Sequence, residues 1–214
     1  MPPNGRERLV QLVRAKGVRD QRLLEAIASV PRAGFVPPTY SERAYRDEPI
    51  PIAHDQVTTQ PSLVASMLEA LTLEGSERVL EVGTGYGFQT ALLARLTRRV
   101  FSIERFADLA EAARRNLARH GIRNVEVVVG DGTAGFPERA PFDAIVVSAA
   151  FTSVPEPLVA QLLDGGRLVQ PMGPGGSDEV TLFERRGGAM ERRARVTPAR
   201  FVKLYGDHGF SLES

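Results

Sequence analysis

At 214 residues the chain is long enough for one domain with a sizeable core. With 43% apolar and 25% charged residues and a mean hydropathy of −0.15, it reads as soluble and globular rather than disordered. A formal charge of +1, from 27 basic and 26 acidic residues mostly interleaved, gives no clustered basic surface, so nucleic acid is not an expected partner. There is no cysteine, which excludes disulfides, thiolate metal sites and cysteine nucleophiles. His54, His120 and His208 lie far apart, and no metal site is expected. No apolar run is long enough to span a bilayer, and the opening "MPPNGRERLVQLVRAKG" is broken by charge every few residues; a cytoplasmic chain without membrane contact is expected.

In chain order, residues 6–15 and 20–30 carry helical periodicity, with Leu9, Leu12 and Val13 on one face of the first and Leu23, Leu24 and Ile27 on one face of the second. Asp20 has the chemistry of an N-cap. From Pro31 to Pro61 six prolines and no sustained period predict an extended, turn-rich segment, and loops of that length in compact domains tend to be functional. The stretch "SLVASMLEALTL" predicts a helix with Pro61 in its first turn. Strands are expected at 78–82, 99–104, 125–131, 142–149 and 167–172, and helices at "FQTALLARLT", "FADLAEAARRNLARHG" and "PEPLVAQLL", the last followed by the turn "DGG". "VTLFERR", Gly187-Gly188 and "AMERRARV" predict a hairpin with a tight two-glycine turn. Strands alternating with helices imply an α/β fold: a Rossmann-like, doubly wound, mostly parallel sheet of about seven strands, with a C-terminal antiparallel hairpin and an N-terminal helical and extended segment. Residues 1–60 are read as that segment, packed on a core domain of residues 61–214 in a single structural unit.

The stretch "LEVGTGYGFQT" places Gly83, Gly85 and Gly87 after the first core strand. In open parallel sheets ligands bind at that turn; glycines there let a ligand approach the backbone, and the following helix offers free N–H groups. A dinucleotide fingerprint would need glycine at position 88, which holds Phe88. Glu81 just ahead of the loop repels a pyrophosphate and suits a cationic ligand such as S-adenosylmethionine. Glu104, at the end of the second core strand, is placed to accept both ribose hydroxyls, and Asp131 with Gly132, at the end of the third, to meet the adenine amino group. Thr84 in the loop and Arg105 beside Glu104 complete the expected cofactor contacts. Each feature has a plainer alternative: Glu104 as a cap for the helix opening at Phe106, Asp131-Gly132 as a turn. The functional reading rests on their joint position at successive strand ends.

The motifs "VPRAGFVP", "AYRDEPIPIAHDQVTTQP", "VLEVGTGYGFQTALLA", "VFSIE", "VVVGDGTAGFPERAPFDAIVVSAA", "VPEPLVAQLLDGGRLVQPMG" and "RFVKL" together resemble the protein-L-isoaspartate O-methyltransferases, a family of class I S-adenosylmethionine-dependent methyltransferases. The glycine-loop motifs specify only the superfamily; the proline-rich segment and the tail around Phe201 are particular to the isoaspartyl enzymes. The resemblance implies methyl transfer to the α-carboxylate of L-isoaspartyl residues in damaged proteins and peptides, by a chain expected to act as a monomer. Where the family carries Thr-Ile-Ser, this chain has Val57-Thr58-Thr59, so Thr59 keeps the hydroxyl of the serine position and is the expected catalytic group, with Val57 and Thr58 beside it on the substrate side. Thr59 has its own structural alternative, an N-cap for the helix after Pro61. Asp55 stands where the family usually has glycine. Ser148 and Ala149, with Ala150, match a small-residue stretch near the transfer point and are expected to face the substrate. Three rival readings remain open at this stage: a methyltransferase for a small molecule or RNA, a nicotinamide-dependent oxidoreductase, and a module that binds isoaspartyl sites without turnover.

Overall fold

The computed structural model of the chain describes residues 5–211. Helix α1 (Gly5–Ala15) buries Leu9 and Val13, and α2 (Gln21–Ser29) buries Leu23, Leu24, Ala26 and Ile27. Asp20 caps α2 by accepting from the backbone N–H groups of Arg22 and Leu23.

The proline-rich segment holds more order than its lack of period predicts. Two short 3-10 turns, Arg32–Phe35 and Pro38–Arg43, lead into a small antiparallel hairpin of β1 (Ile50–Pro51) and β2 (Val57–Thr58), with Ile50 opposite Thr58. The bend between them puts His54 and Asp55 at φ 60° and 55°. Asp is among the few residues besides glycine that tolerate this left-handed region, which accounts for a glycine-type position holding Asp55.

Helix α3 (Pro61–Ala70) has proline in its first turn, where the missing N–H is no loss. The core then alternates: β3 (Arg78–Val82), α4 (Phe88–Leu96), β4 (Arg99–Glu104), α5 (Ala107–Arg119), β5 (Val125–Val129), β6 (Phe142–Val147), α6 (Glu156–Gln161), β7 (Leu162–Met172), β8 (Asp178–Arg186) and β9 (Ala189–Ala199). The seven-stranded sheet runs β5-β4-β3-β6-β7-β8-β9, parallel from β5 to β7 and antiparallel for β8 and β9. The Asp164-Gly165-Gly166 turn lies in a bulge of β7, between the pairings Phe142↔Leu162 and Ala144↔Arg167. Gly187 and Gly188 both take positive φ, 57° and 87°, which a primed hairpin turn demands.

Neighbouring strand residues feed opposite faces of the sheet. Val79 and Val100 join a cluster that also takes in Leu9, Leu23, Phe35, Val64 and Leu92, while Leu80 and Phe101 join Ile145 and Leu158 on the other side. The N-terminal helices therefore share a core with α3 and α4. The chain winds outward from β3 through β4 to β5 and then returns to lay β6 against β3, so the switch point of the sheet falls between β3 and β6. Gly83 and Ser148 meet there: a Cβ on Gly83 would stand 3.3 Å from that of Ser148.

Candidate active site

A cavity of about 710 Å³ opens at this switch point, where open α/β sheets place their ligands. Gly83, Thr84, Gly85, Glu104 and Ser148 form its strand-tip wall; the β1–β2 hairpin with Thr59 and Gln60, one side of α3 and the end of β9 with the chain leaving it line much of the rest.

The glycine loop splits into two functions. Gly83 and Gly85 (φ 95° and 55°) border the cavity, and a Cβ on Gly85 would meet only Ile52 Cδ1 at 3.6 Å, so the space before it is open. Gly87, expected among the cofactor contacts, instead occupies the left-handed N-cap position of α4; a Cβ there would press on Ala113 at 3.4 Å, and its N–H donates to the Thr84 carbonyl. It closes the turn and lets α4 approach α5.

Glu81 is fully buried and lies outside the cavity wall. Its carboxylate accepts from Ser102 Oγ (2.6 Å), Thr90 Oγ1 (2.5 Å) and Gln89 Nε2 (3.1 Å), and burial pushes its pKa up to about 7 against these hydrogen bonds. With Glu81 ionised, the Ser102 hydroxyl proton is committed to it, so Thr84 Oγ1 donates to Ser102 Oγ at 2.5 Å. Glu81 thus anchors the loop from below, through Ser102 to Thr84 and directly to Gln89. Gln89 Nε2 also donates to Ser148 Oγ at 3.0 Å, bridging the loop to β6, while its buried Oε1, in a cavity-lining residue, has no hydrogen-bond partner.

Glu104 borders the cavity at the tip of β4; Oε2 accepts from Gly85 N–H at 2.8 Å and Oε1 from Phe106 N–H at 3.1 Å. It fixes the loop and caps the start of α5 at once. Asp131 does not reach the cavity wall: Oδ1 accepts from the N–H and hydroxyl of Thr133 and Oδ2 from Asp207 N–H, tying the returning C-terminal segment to the end of β5. Burial works against ionisation of Asp131, but the hydrogen bonds from Thr133 and Asp207 outweigh it and leave the carboxyl below its ordinary range. Gly132 lies against Val82, where a Cβ would come within 2.3 Å of Cγ1. Arg105 is exposed and lies over the rings of Phe106 and Tyr205, and Ala149 packs into the second core cluster; neither lines the cavity.

On the opposite wall Thr59 is half-buried and lines the cavity. It is not the N-cap of α3: Gln60 holds that position without a side-chain cap, and Asp47 caps from a distance, accepting from Ser62 N–H at 2.8 Å through Oδ1 and from Ser62 Oγ and Gln60 Nε2 through Oδ2. Val57 is exposed and borders the cavity. Thr58 borders it too, but its hydroxyl is engaged inward by Arg32.

Arg32 was not singled out in the sequence. It is fully buried, and its guanidinium donates to the carbonyls of Ala44, Arg46, Glu48 and Thr59 and to Thr58 Oγ1, at 2.9 to 3.3 Å. Burial lowers its pKa to about 10, with Asp47 and Glu48 opposing the shift, so it stays charged at neutral pH. The apolar frame of "VPRAGFVP" was its only cue; Asp47 had none, since the N–H it caps is 15 residues away. His54 ties the hairpin to the start of α5: its ring stacks on Phe106 at 4.0 Å and its Nε2 lies 2.9 Å from Asp108 Oδ1.

The sequence profile of the protein-L-isoaspartate(D-aspartate) O-methyltransferase (PCMT) family matches residues 4–209. The chain belongs to this family. A protein-L-isoaspartate O-methyltransferase of Methanoculleus marisnigri is 46% identical over 209 residues, 97% of this chain and 94% of its own length. One of Myxococcus xanthus is 48% identical, over 89% of this chain and 91% of its own. Among solved structures, a protein-L-isoaspartate O-methyltransferase superposes with TM-score 0.83 at 31% identity, over 95% of this chain and 67% of that one. A Plasmodium falciparum structure in complex with S-adenosyl-L-homocysteine, at 22% identity and TM-score 0.81 over 95% of this chain and 99% of that one, shares the fold.

Proposed function

We propose that the cavity holds S-adenosylmethionine against its strand-tip wall and the α-carboxylate of an L-isoaspartyl residue against the hairpin wall, and that the protein methylates damaged proteins at such residues. The observation that carries this is the continuity of one cavity from Gly83, Gly85 and Glu104 to Thr59. The residues fit the donor: Gly85 leaves open space before the backbone, and the buried, unpartnered Gln89 Oε1 is an acceptor suited to an ammonium or hydroxyl hydrogen. The donor supplies an electrophilic methyl on a sulfonium.

The chain's own groups align and hold. Glu104, already oriented by Gly85 N–H, accepts from the ribose hydroxyls, and the N–H groups of the loop approach the ligand without Cβ obstruction. The Thr59 hydroxyl donates to the acceptor carboxylate; its backbone is fixed by the bond from Arg32 to its carbonyl. An acceptor carboxylate with a pKa of about 4 is ionised at neutral pH, so no general base is needed and alignment supplies the acceleration. The ester formed closes spontaneously to a succinimide, whose hydrolysis returns some normal aspartate. Glu81 and Gly87 are assigned to building the loop and Gly132 to packing the end of β5 against Val82, rather than to touching the ligand. The altered second position of the Val57-Thr58-Thr59 triplet does not favour a different acceptor, because the Thr58 hydroxyl is committed to Arg32. We further propose that the protein is a monomer: the exposed edge strand β9 carries Arg192, Arg193 and Arg195, which disfavours strand-to-strand association.

Labelled S-adenosylmethionine offered with paired peptides, isoaspartyl against aspartyl, should transfer its methyl to the isoaspartyl peptide alone. Equal labelling of both, or none, would remove the assignment.

A further inference from the structure

Four charged side chains line the cavity, and they divide into two kinds. Glu104 and Asp178 are committed to backbone N–H groups: Glu104 to Gly85 and Phe106, Asp178 to Gly175, Gly176 and Phe201. Lys16 and Arg200 are both exposed, and among the described residues neither side chain has an ion pair or hydrogen bond. Arg200 contrasts with its neighbours on the β8–β9 hairpin, where Arg186, Arg192, Arg193 and Arg195 all pair with Glu179, Glu184 or Glu191. Lys16 follows α1 and Arg200 follows β9, and both elements pack against α3. Leu63, Ser66, Ser177 and Thr197 also line the cavity, and the one carboxylate beside Arg200, that of Asp178, is occupied by the N–H groups of Gly175, Gly176 and Phe201. A polypeptide acceptor brings more than the reacting group into such a space, and two cations without an ion-pair partner favour negative charge there.

We infer that Lys16 and Arg200 form a subsite for a second carboxylate of the polypeptide substrate, distinct from the one that is methylated, so that isoaspartyl sites with acidic neighbours are the favoured substrates. The inference rests on the repair reading above and adds the substrate class. The second carboxylate is bound and not transformed, so the two cations select substrates without entering the reaction.

The test compares kcat/KM for two isoaspartyl peptides that differ only in carrying glutamates or glutamines on either side of the isoaspartyl residue. The protein should favour the glutamate peptide about fivefold at low salt, as two partly exposed ion pairs allow, and the preference should shrink at high salt. In a Lys16→Gln/Arg200→Gln double variant the ratio should fall to about one; because the readout is a ratio, a general loss of activity does not imitate it. A Lys16→Glu/Arg200→Glu variant should turn the preference toward a lysine-flanked peptide. A ratio of one in the parent protein, or a ratio preserved in the double glutamine variant, would overturn the subsite while leaving isoaspartyl methylation intact. Failure of the parent protein to methylate either peptide would instead overturn the repair reading, and the subsite with it.

Discussion

The strand-tip wall and the hairpin wall of the cavity are built by opposite means. The first is assembled from contiguous sequence: β3, the glycine loop and the start of α4 are one run of residues, and the bonds that support it link neighbouring strand ends in a parallel sheet. The second has almost no regular structure and takes its shape from two polar residues acting at a distance. Arg32 gathers carbonyls 12 to 27 residues away, and Asp47 caps a helix that begins 14 residues later. A local motif builds the strand-tip wall, whereas the hairpin wall is a loop whose form depends on a few buried contacts.

That contrast is broken most forcefully at Arg32. Arg32→Met fills the volume and leaves four carbonyls without their donor, so folding stability should drop on the order of 4 kcal/mol, since each buried group loses a charge-assisted partner. Urea unfolding checks this; a loss under about 1 kcal/mol would mean the hairpin wall holds itself.

Glu81 tests the other wall through pH. Its folded pKa of about 7 lies above the ordinary 4.5, so below 4.5 both folded and unfolded forms carry the proton and nothing is lost. Between 4.5 and 7 the unfolded chain releases the proton while the folded chain keeps it, so stability falls as pH rises, levelling off above 7. The total is about 3 kcal/mol at 1.36 kcal/mol per unit. Glu81→Gln should flatten that slope, measured as the difference in unfolding free energy between the two proteins at pH 4.5 and 7.5. Equal slopes would mean that the buried carboxyl is not protonated in that range.

The smallest effect falls on the ligand. Glu104→Ala should weaken S-adenosylhomocysteine binding by about 1 to 3 kcal/mol in calorimetry, through lost hydroxyl contacts and a loosened Gly85. Unchanged affinity would remove the ribose assignment.

The elements were legible in the sequence because periodicity and caps are local: Asp20, the alternating strands and the Gly187-Gly188 turn all stand where short-range rules put them. The site was legible in part. Gly83, Gly85, Glu104, Ser148 and Thr59 do meet at one cavity. Gly87 and Gly132 do not line it, which spacing could not show, because what a Cβ would meet there is Ala113 in one case and Val82 in the other. Glu81 sits in a strand buried on both faces, and its partners Ser102 and Thr90 come from β4 and α4, so nothing beside it in the chain marks it as internal. Asp131 is claimed by a tail that returns 76 residues later.

The most direct measurement is a crystal structure with S-adenosylhomocysteine and an isoaspartyl peptide. It should show the ribose hydroxyls on Glu104, the sulfur facing the Thr59 hydroxyl across the cavity, and the peptide carboxylate between them. An adenosyl group bound away from Gly85, or a Thr59 side chain turned from the sulfur, would contradict the account.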